Sequence, residues 1–152
     1  MEIEILKKTI FDGFLAIKKI NNITPSVRHR MLGCILSMNP NAWRVVGITE
    51  AALIKFIEND FKRPKGVNRS HINQRSETSR IMFEKDSWDM DSWWEFYEES
   101  DKCILATSSE NMDKDPEIIF AKVPEGLFKT RGFAYIVKDE EKAFLKKISA
   151  NL

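Results

Sequence analysis

The apolar residues of this chain keep one period from Ile3 to Tyr97 and another afterwards, and that switch restricts the fold more than any other feature. Ile3, Leu6, Ile10, Phe14 and Ile17 recur at three- and four-residue steps, with Phe11 and Leu15 widening the stripe; this is the spacing of one helical face. Asn21 and Asn22 end it. Thr24-Pro25 then opens a second helix, with Thr as N-cap and Pro in the first turn, where its missing N–H costs nothing. Val27, Met31, Cys34, Ile35 and Met38 are its expected buried face, and Asn39-Pro40 stops it. Two helices joined by a short turn predict an antiparallel hairpin. Thr49 caps a third helix over "EAALIKFIENDF", with Leu53, Phe56, Ile57 and Phe61 facing inward. Pro64 and Gly66 in "KRPKG" break it and leave a basic, exposed loop. A fourth helix is expected from Ser70 to Lys85, capped by Ser70 or Ser76, with Ile72, Ser79, Met82 and Phe83 inside. A fifth, Asp89 to Glu99, places Met90, Trp93, Trp94 and Tyr97 on one side.

Beyond this point the pattern shortens. "KCILATS", "EIIFAKV" and "RGFAYIV" are brief runs of β-branched, aromatic and aliphatic residues separated by turn compositions, which predicts three strands in an antiparallel meander. "AWRVVGI", Ala42 to Ile48, is an edge strand or an extended connection. Asp139 caps a last helix whose acids come first and lysines later, matching the macrodipole, with Phe144, Leu145 and Ile148 inside. Helices first and strands later, without βαβ alternation, predict an α+β fold: a helical N-terminal two-thirds packed on a small, mainly antiparallel C-terminal sheet, with a C-terminal helix. With 152 residues, the expectation is a single domain, 1–152, able to bury a core without staples.

A net charge of +1 excludes a dedicated polycation, so any electrostatic signal must be local. Cys34 and Cys103 have no partner at metal-ligand spacing and read as buried, reduced thiols, which favours a cytoplasmic protein. Glu2, Glu4, Lys7, Lys8 and Asp12 exclude a secretory apolar region or a membrane span in the first segment. No membrane partner is expected.

The local signal is a charge reversal. From Phe61 to Arg80 the cations Lys62, Arg63, Lys65, Arg69, Arg75 and Arg80 face Glu77 alone, whereas Glu84 to Asp101 carries eight acids against Lys85. Arginine forks pair with phosphate through two bonds. On the expected fourth helix His71, Arg75 and Thr78 fall at i, i+4 and i+7, one face carrying an imidazole, a guanidinium and a hydroxyl. Such a trio suits phosphodiester cleavage, with histidine moving a proton and arginine stabilising charge on the phosphate. Glu110 is the candidate carboxylate partner of His71. Lys62, Arg63, Lys65, Arg69 and Arg131 are the candidate nucleic-acid contacts. The second histidine, His29, lies off the apolar stripe of its helix and reads as a surface residue.

"SHINQRSE" resembles the opening of an HNH nuclease, but no later histidine completes a metal site, and that family is rejected. Few His and Cys, and no phosphate-binding glycine loop, dinucleotide fingerprint or nucleophile elbow, predict no metal and no cofactor. Asp86, Asp89, Asp91 and Glu95 read as the wet side of a helix.

Two function classes follow. The first is a nucleic-acid-directed protein acting on RNA or DNA, extending to a small metal-independent nuclease built on the His/Arg cluster. The second is an interaction module that docks a protein partner through the acidic aromatic helix, with Trp88, Trp93 and Phe96 as contacts.

Overall fold

A computed structural model describes residues 1–110, 118–131 and 134–152. The chain forms two compact units, each assembled from two stretches: Met1–Ala42 with Asn73–Asp101, and Trp43–Ile72 with Lys102–Leu152. Together they give the expected α+β composition. Among the described residues no helix is long and apolar enough to cross a membrane.

The first unit is helical: α1 (Ile3–Lys18), α2 (Pro25–Leu36), α4 (Arg75–Glu84) and α5 (Met90–Ser100), with α3 (Glu50–Glu58) belonging to the second unit. The caps follow the sequence chemistry. Thr24 accepts from the Val27 N–H and Asp89 from the Ser92 N–H, each satisfying a donor the helix start leaves open. α1 packs on α2 and α5, and α4 packs on α2 and α5. The core is aromatic. Trp93, with no exposed surface, stacks on Phe14 at 5.0 Å and on Tyr97 at 5.8 Å, with Phe11 at 5.5 Å. Each such side chain removed from water stabilises the unit by about 1.5–3 kcal/mol.

Two expectations for this unit shift. Ile3 is half exposed, one turn beyond the point where α1 meets its neighbours. The buried residue of α2 is Leu32, while Cys34 and Met38 are exposed. α2 is sandwiched between α1 and α4, so the side it buries is set by both neighbours and its own apolar stripe is weak.

The second unit is built on a four-stranded sheet in the order β2-β3-β1-β4, from β1 (Val45–Thr49), β2 (Val67–His71), β3 (Cys103–Thr107) and β4 (Ile119–Lys122). β1 runs parallel to β3; the β2/β3 and β1/β4 pairs are antiparallel. The expected consecutive meander is therefore replaced by an interleaved order, and β1 is internal rather than an edge. Gly47 permits this. A Cβ there would stand 3.0 Å from Ile119 Cγ2, tighter than ordinary packing, so the Ile119 side chain on β4 would have to give by a few tenths of an ångström. The run "RGFAYIV" contributes a two-stranded hairpin, β5 (Thr130–Arg131) with β6 (Ala134–Tyr135), and not a sheet strand.

α3 (Glu50–Glu58) follows β1 directly, capped by Thr49, which accepts from the Ala52 N–H. It lies on β1, β3 and β4 and against α6 (Asp139–Ser149). Ile48, Leu53, Phe56, Leu105, Phe128, Tyr135 and Leu145 form the core between these elements. Asp139 is the first helical residue of α6 rather than its cap; the Lys138 N–H donates to Glu141 Oε1 at 2.9 Å.

The largest correction concerns Ser70 to Lys85. Val67 to His71 is strand β2, and the helix begins only at Arg75 with Gln74 before it, so neither serine is its cap. β3 is buried along its whole length and needs ladder partners on both edges, and β2 supplies one. The polar side chains survive burial because Trp43 covers them: the Arg69 guanidinium lies over that ring at 5.0 Å and His71 meets its edge at 4.4 Å. Tertiary pairing overrides local preference here.

Candidate functional site

The connection between α3 and β2 is held rather than loose. Asp60 and Phe61 both take the left-handed conformation (φ 55° and 57°), letting the Phe61 N–H donate to Phe56 O at 2.7 Å. The Asn59 amide then donates to the carbonyls of Lys62 and Arg63, both at 3.1 Å. These bonds fix where the two cations leave the backbone. Arg63 lies over the Tyr135 ring, 5.2 Å from its centroid, an arrangement in which the π face holds a guanidinium plane. The Tyr135 hydroxyl donates to Val67 O at 2.9 Å. Burial pushes this hydroxyl up to about 12, against the opposing charges of Arg63 and Arg69, so it stays a protonated donor.

Around this pair opens a cleft of 440 Å³ within the sheet unit, inside the usual range for small-ligand sites. Its cations come from three segments: Lys62 and Arg63 after α3, Arg131 in the hairpin, and Lys138 and Lys142 at the start of α6. Among the described residues no carboxylate lines it. Among the described residues none of the five forms an ion pair. Ala134, Ile136 and Val137 make an apolar wall. The first-turn acids of α6 bear on the field: Glu141 is buried in capping Lys138, while Asp139 and Glu140 point to solvent. Chemically the cleft is suited to a multiply charged oxyanion with an apolar attachment.

Of the candidate nucleic-acid contacts, Lys62, Arg63 and Arg131 thus line one cleft. Lys65 is exposed beside Gly66 and does not line the cleft. Arg69 is only 8% exposed and donates to Thr130 Oγ1 at 2.6 Å, bracing the hairpin from β2. The two residues missed in the sequence are Lys138 and Lys142. A signal existed: Lys138 stands at the N-cap of a helix, where a cation opposes the macrodipole.

The proposed catalytic set does not assemble. His71 ends a strand and is 6% exposed; Arg75 and Thr78 stand on α4 in the helical unit, so the three share no helical face. The Thr78 hydroxyl donates back to Gln74 O. Glu110 Oε1 accepts from the Thr107 N–H at 2.9 Å, the Thr107 hydroxyl at 3.0 Å and the Thr49 hydroxyl at 2.8 Å. In the β2/β3 ladder Thr107 faces Val67, whereas His71 faces Cys103. Glu110, bonded at Thr107, and His71, paired with Cys103, therefore sit toward opposite ends of β3, whose Thr107 and Cys103 are about 13 Å apart at 3.3 Å per residue.

In the helical unit the imidazole near Arg75 is His29, which is half buried rather than a free surface group. Burial and the charge of Arg75 hold its pKa below the ordinary histidine value. On α5, Trp93 is wholly buried and has no surface to offer a partner. Trp88 and Phe96 are half buried against each other at 5.4 Å, and the Trp88 indole donates to Met82 O. The exposed surface of that helix is its acids.

No protein-family model, curated protein or solved structure matches the chain.

Proposed function

We propose that the protein binds nucleic acid through the cationic cleft of the sheet unit. The observation that carries this reading is the convergence of five cations on one concave surface, with no carboxylate lining it among the described residues. Phosphate contacts of this kind supply most of the affinity of a nucleic-acid protein and make it depend on salt. Cleavage is not part of the proposal, because His71 is buried and the Glu110 carboxylate is committed to two threonines. Two free cysteines, one of them exposed, support a reducing, cytoplasmic setting.

Anisotropy titrations of labelled single-stranded RNA and DNA test it. The slope of log K against log salt should be about −0.7 for each phosphate neutralised on a single strand, reaching about −3.5 only if all five cations meet separate phosphates. Replacing Arg63 and Lys142 together by alanine should flatten the slope, by at most about 1.4. Absence of binding at 50 mM salt, or an unchanged slope in the double variant, refutes the proposal.

A further inference from the structure

We infer that the cleft recognises the terminal phosphate monoester of a nucleic-acid strand rather than its internal backbone. The inference rests on the nucleic-acid reading and narrows it. A site that tracks a backbone needs cations spaced along a groove, since the charges of one strand follow each other at intervals of about 3.4 Å along a duplex axis. Here the cations do not follow one another. They arrive from a loop, a hairpin and a helix start and face a single cleft of 440 Å³.

A terminal phosphate offers what such a cleft can use. At neutral pH it carries a charge of about −1.5 to −2 and three acceptor oxygens; an internal phosphodiester carries one charge and two free oxygens. Arg63 is the anchor, because Tyr135 beneath it and the Asn59 bonds to its loop fix the guanidinium plane before any ligand arrives. Less freedom is then lost per bond formed. Lys62, Arg131, Lys138 and Lys142 supply the remaining charge, and the wall of Ala134, Ile136 and Val137 takes the adjoining sugar and base. Asp139 and Glu140, exposed on the first turn of α6, repel a chain running past the helix start, which disfavours a long backbone path on that side.

The test compares oligonucleotides of one sequence and length bearing a 5′-phosphate, a 3′-phosphate or hydroxyls at both ends, with the mononucleotide as competitor. One phosphorylated end should bind at least about tenfold tighter than the hydroxyl form, the equivalent of one further charge-assisted hydrogen bond. That preference should shrink below pH 6, where the monoester dianion takes up one proton and falls to a single negative charge. Arg63→Lys should lose most of the preference while keeping the charge, and an unchanged circular dichroism spectrum and urea midpoint in that variant guard against a folding artefact. Equal binding of all three oligonucleotides overturns the inference and leaves nucleic-acid binding standing. No binding of any of them at 50 mM salt removes both. Competition by the mononucleotide at the oligomer's own concentration overturns the strand end as ligand in favour of a free nucleotide.

Discussion

Removing the Glu110 carboxylate should weaken the fold rather than a reaction. One oxygen of this side chain accepts three hydrogen bonds, from the Thr107 N–H, the Thr107 hydroxyl and the Thr49 hydroxyl, at 2.8–3.0 Å. Thr49 is also the cap of α3, and both threonines are buried. A hydrogen bond to a charged group contributes about 1.5–3 kcal/mol net, and a buried N–H left without an acceptor costs about 1–3 kcal/mol. The three share one acceptor and do not add independently, so Glu110→Ala should cost about 2–4 kcal/mol. Glu110→Gln keeps an acceptor oxygen but loses the charge, and charge roughly doubles such bonds; it should cost about half as much. Urea unfolding followed by circular dichroism gives the loss for the whole chain. Hydrogen exchange at the Thr107 and Leu105 amides shows that it falls on the sheet unit. A Glu110→Ala protein as stable as the parent would refute the reasoning, as would a Gln variant as damaged as the Ala one.

Two further outcomes are expected. Gly66 takes φ +85° in the turn before β2, and its carbonyl accepts from the Ser108 N–H; Gly66→Ala should destabilise by about 1–2 kcal/mol, the cost of a Cβ in the left-handed region, read as a lowered urea midpoint. His29 has a folded pKa below its unfolded value near 6.5, so the unfolded chain binds the proton first on acidification. Its contribution is complete above pH 6.5 and is lost as pH falls through the folded pKa. Stability measured from pH 7.5 to 5 should decline with a component that His29→Gln abolishes.

Much of the helical unit was legible in the sequence because local chemistry and tertiary structure agree there. Ile10, Phe14 and Ile17 lie on one face of α1 and are buried, and Thr24 caps α2 as its position predicts. β2 was not legible. "VNRSH" has one apolar residue fit for a core, and its burial depends on Trp43, distant in sequence, covering Arg69 and His71. Reading those residues as a helix placed His71, Arg75 and Thr78 on a common face and so produced a catalytic trio that the backbone does not allow. The cationic half of the candidate site fared differently. Lys62, Arg63 and Arg131 were identifiable as cations in exposed loops, but their meeting with Lys138 and Lys142 needs the hairpin and α6 to return beside the α3–β2 connection. No periodicity encodes that return.

Neither unit is a continuous piece of chain, and this bears on how the protein is made. The aromatic face of α1 is synthesised long before Trp93, the residue that covers it, and β1 long before its partner β3. At a ribosomal pace of about 5–20 residues per second, Phe14 waits roughly 4–16 s for Trp93. The helical core can close only once synthesis has passed Tyr97, and the sheet core only once it has passed Ile148. Until then the nascent chain carries an uncovered aromatic helix and an unpaired strand, the two features that chaperones recognise and that aggregation exploits.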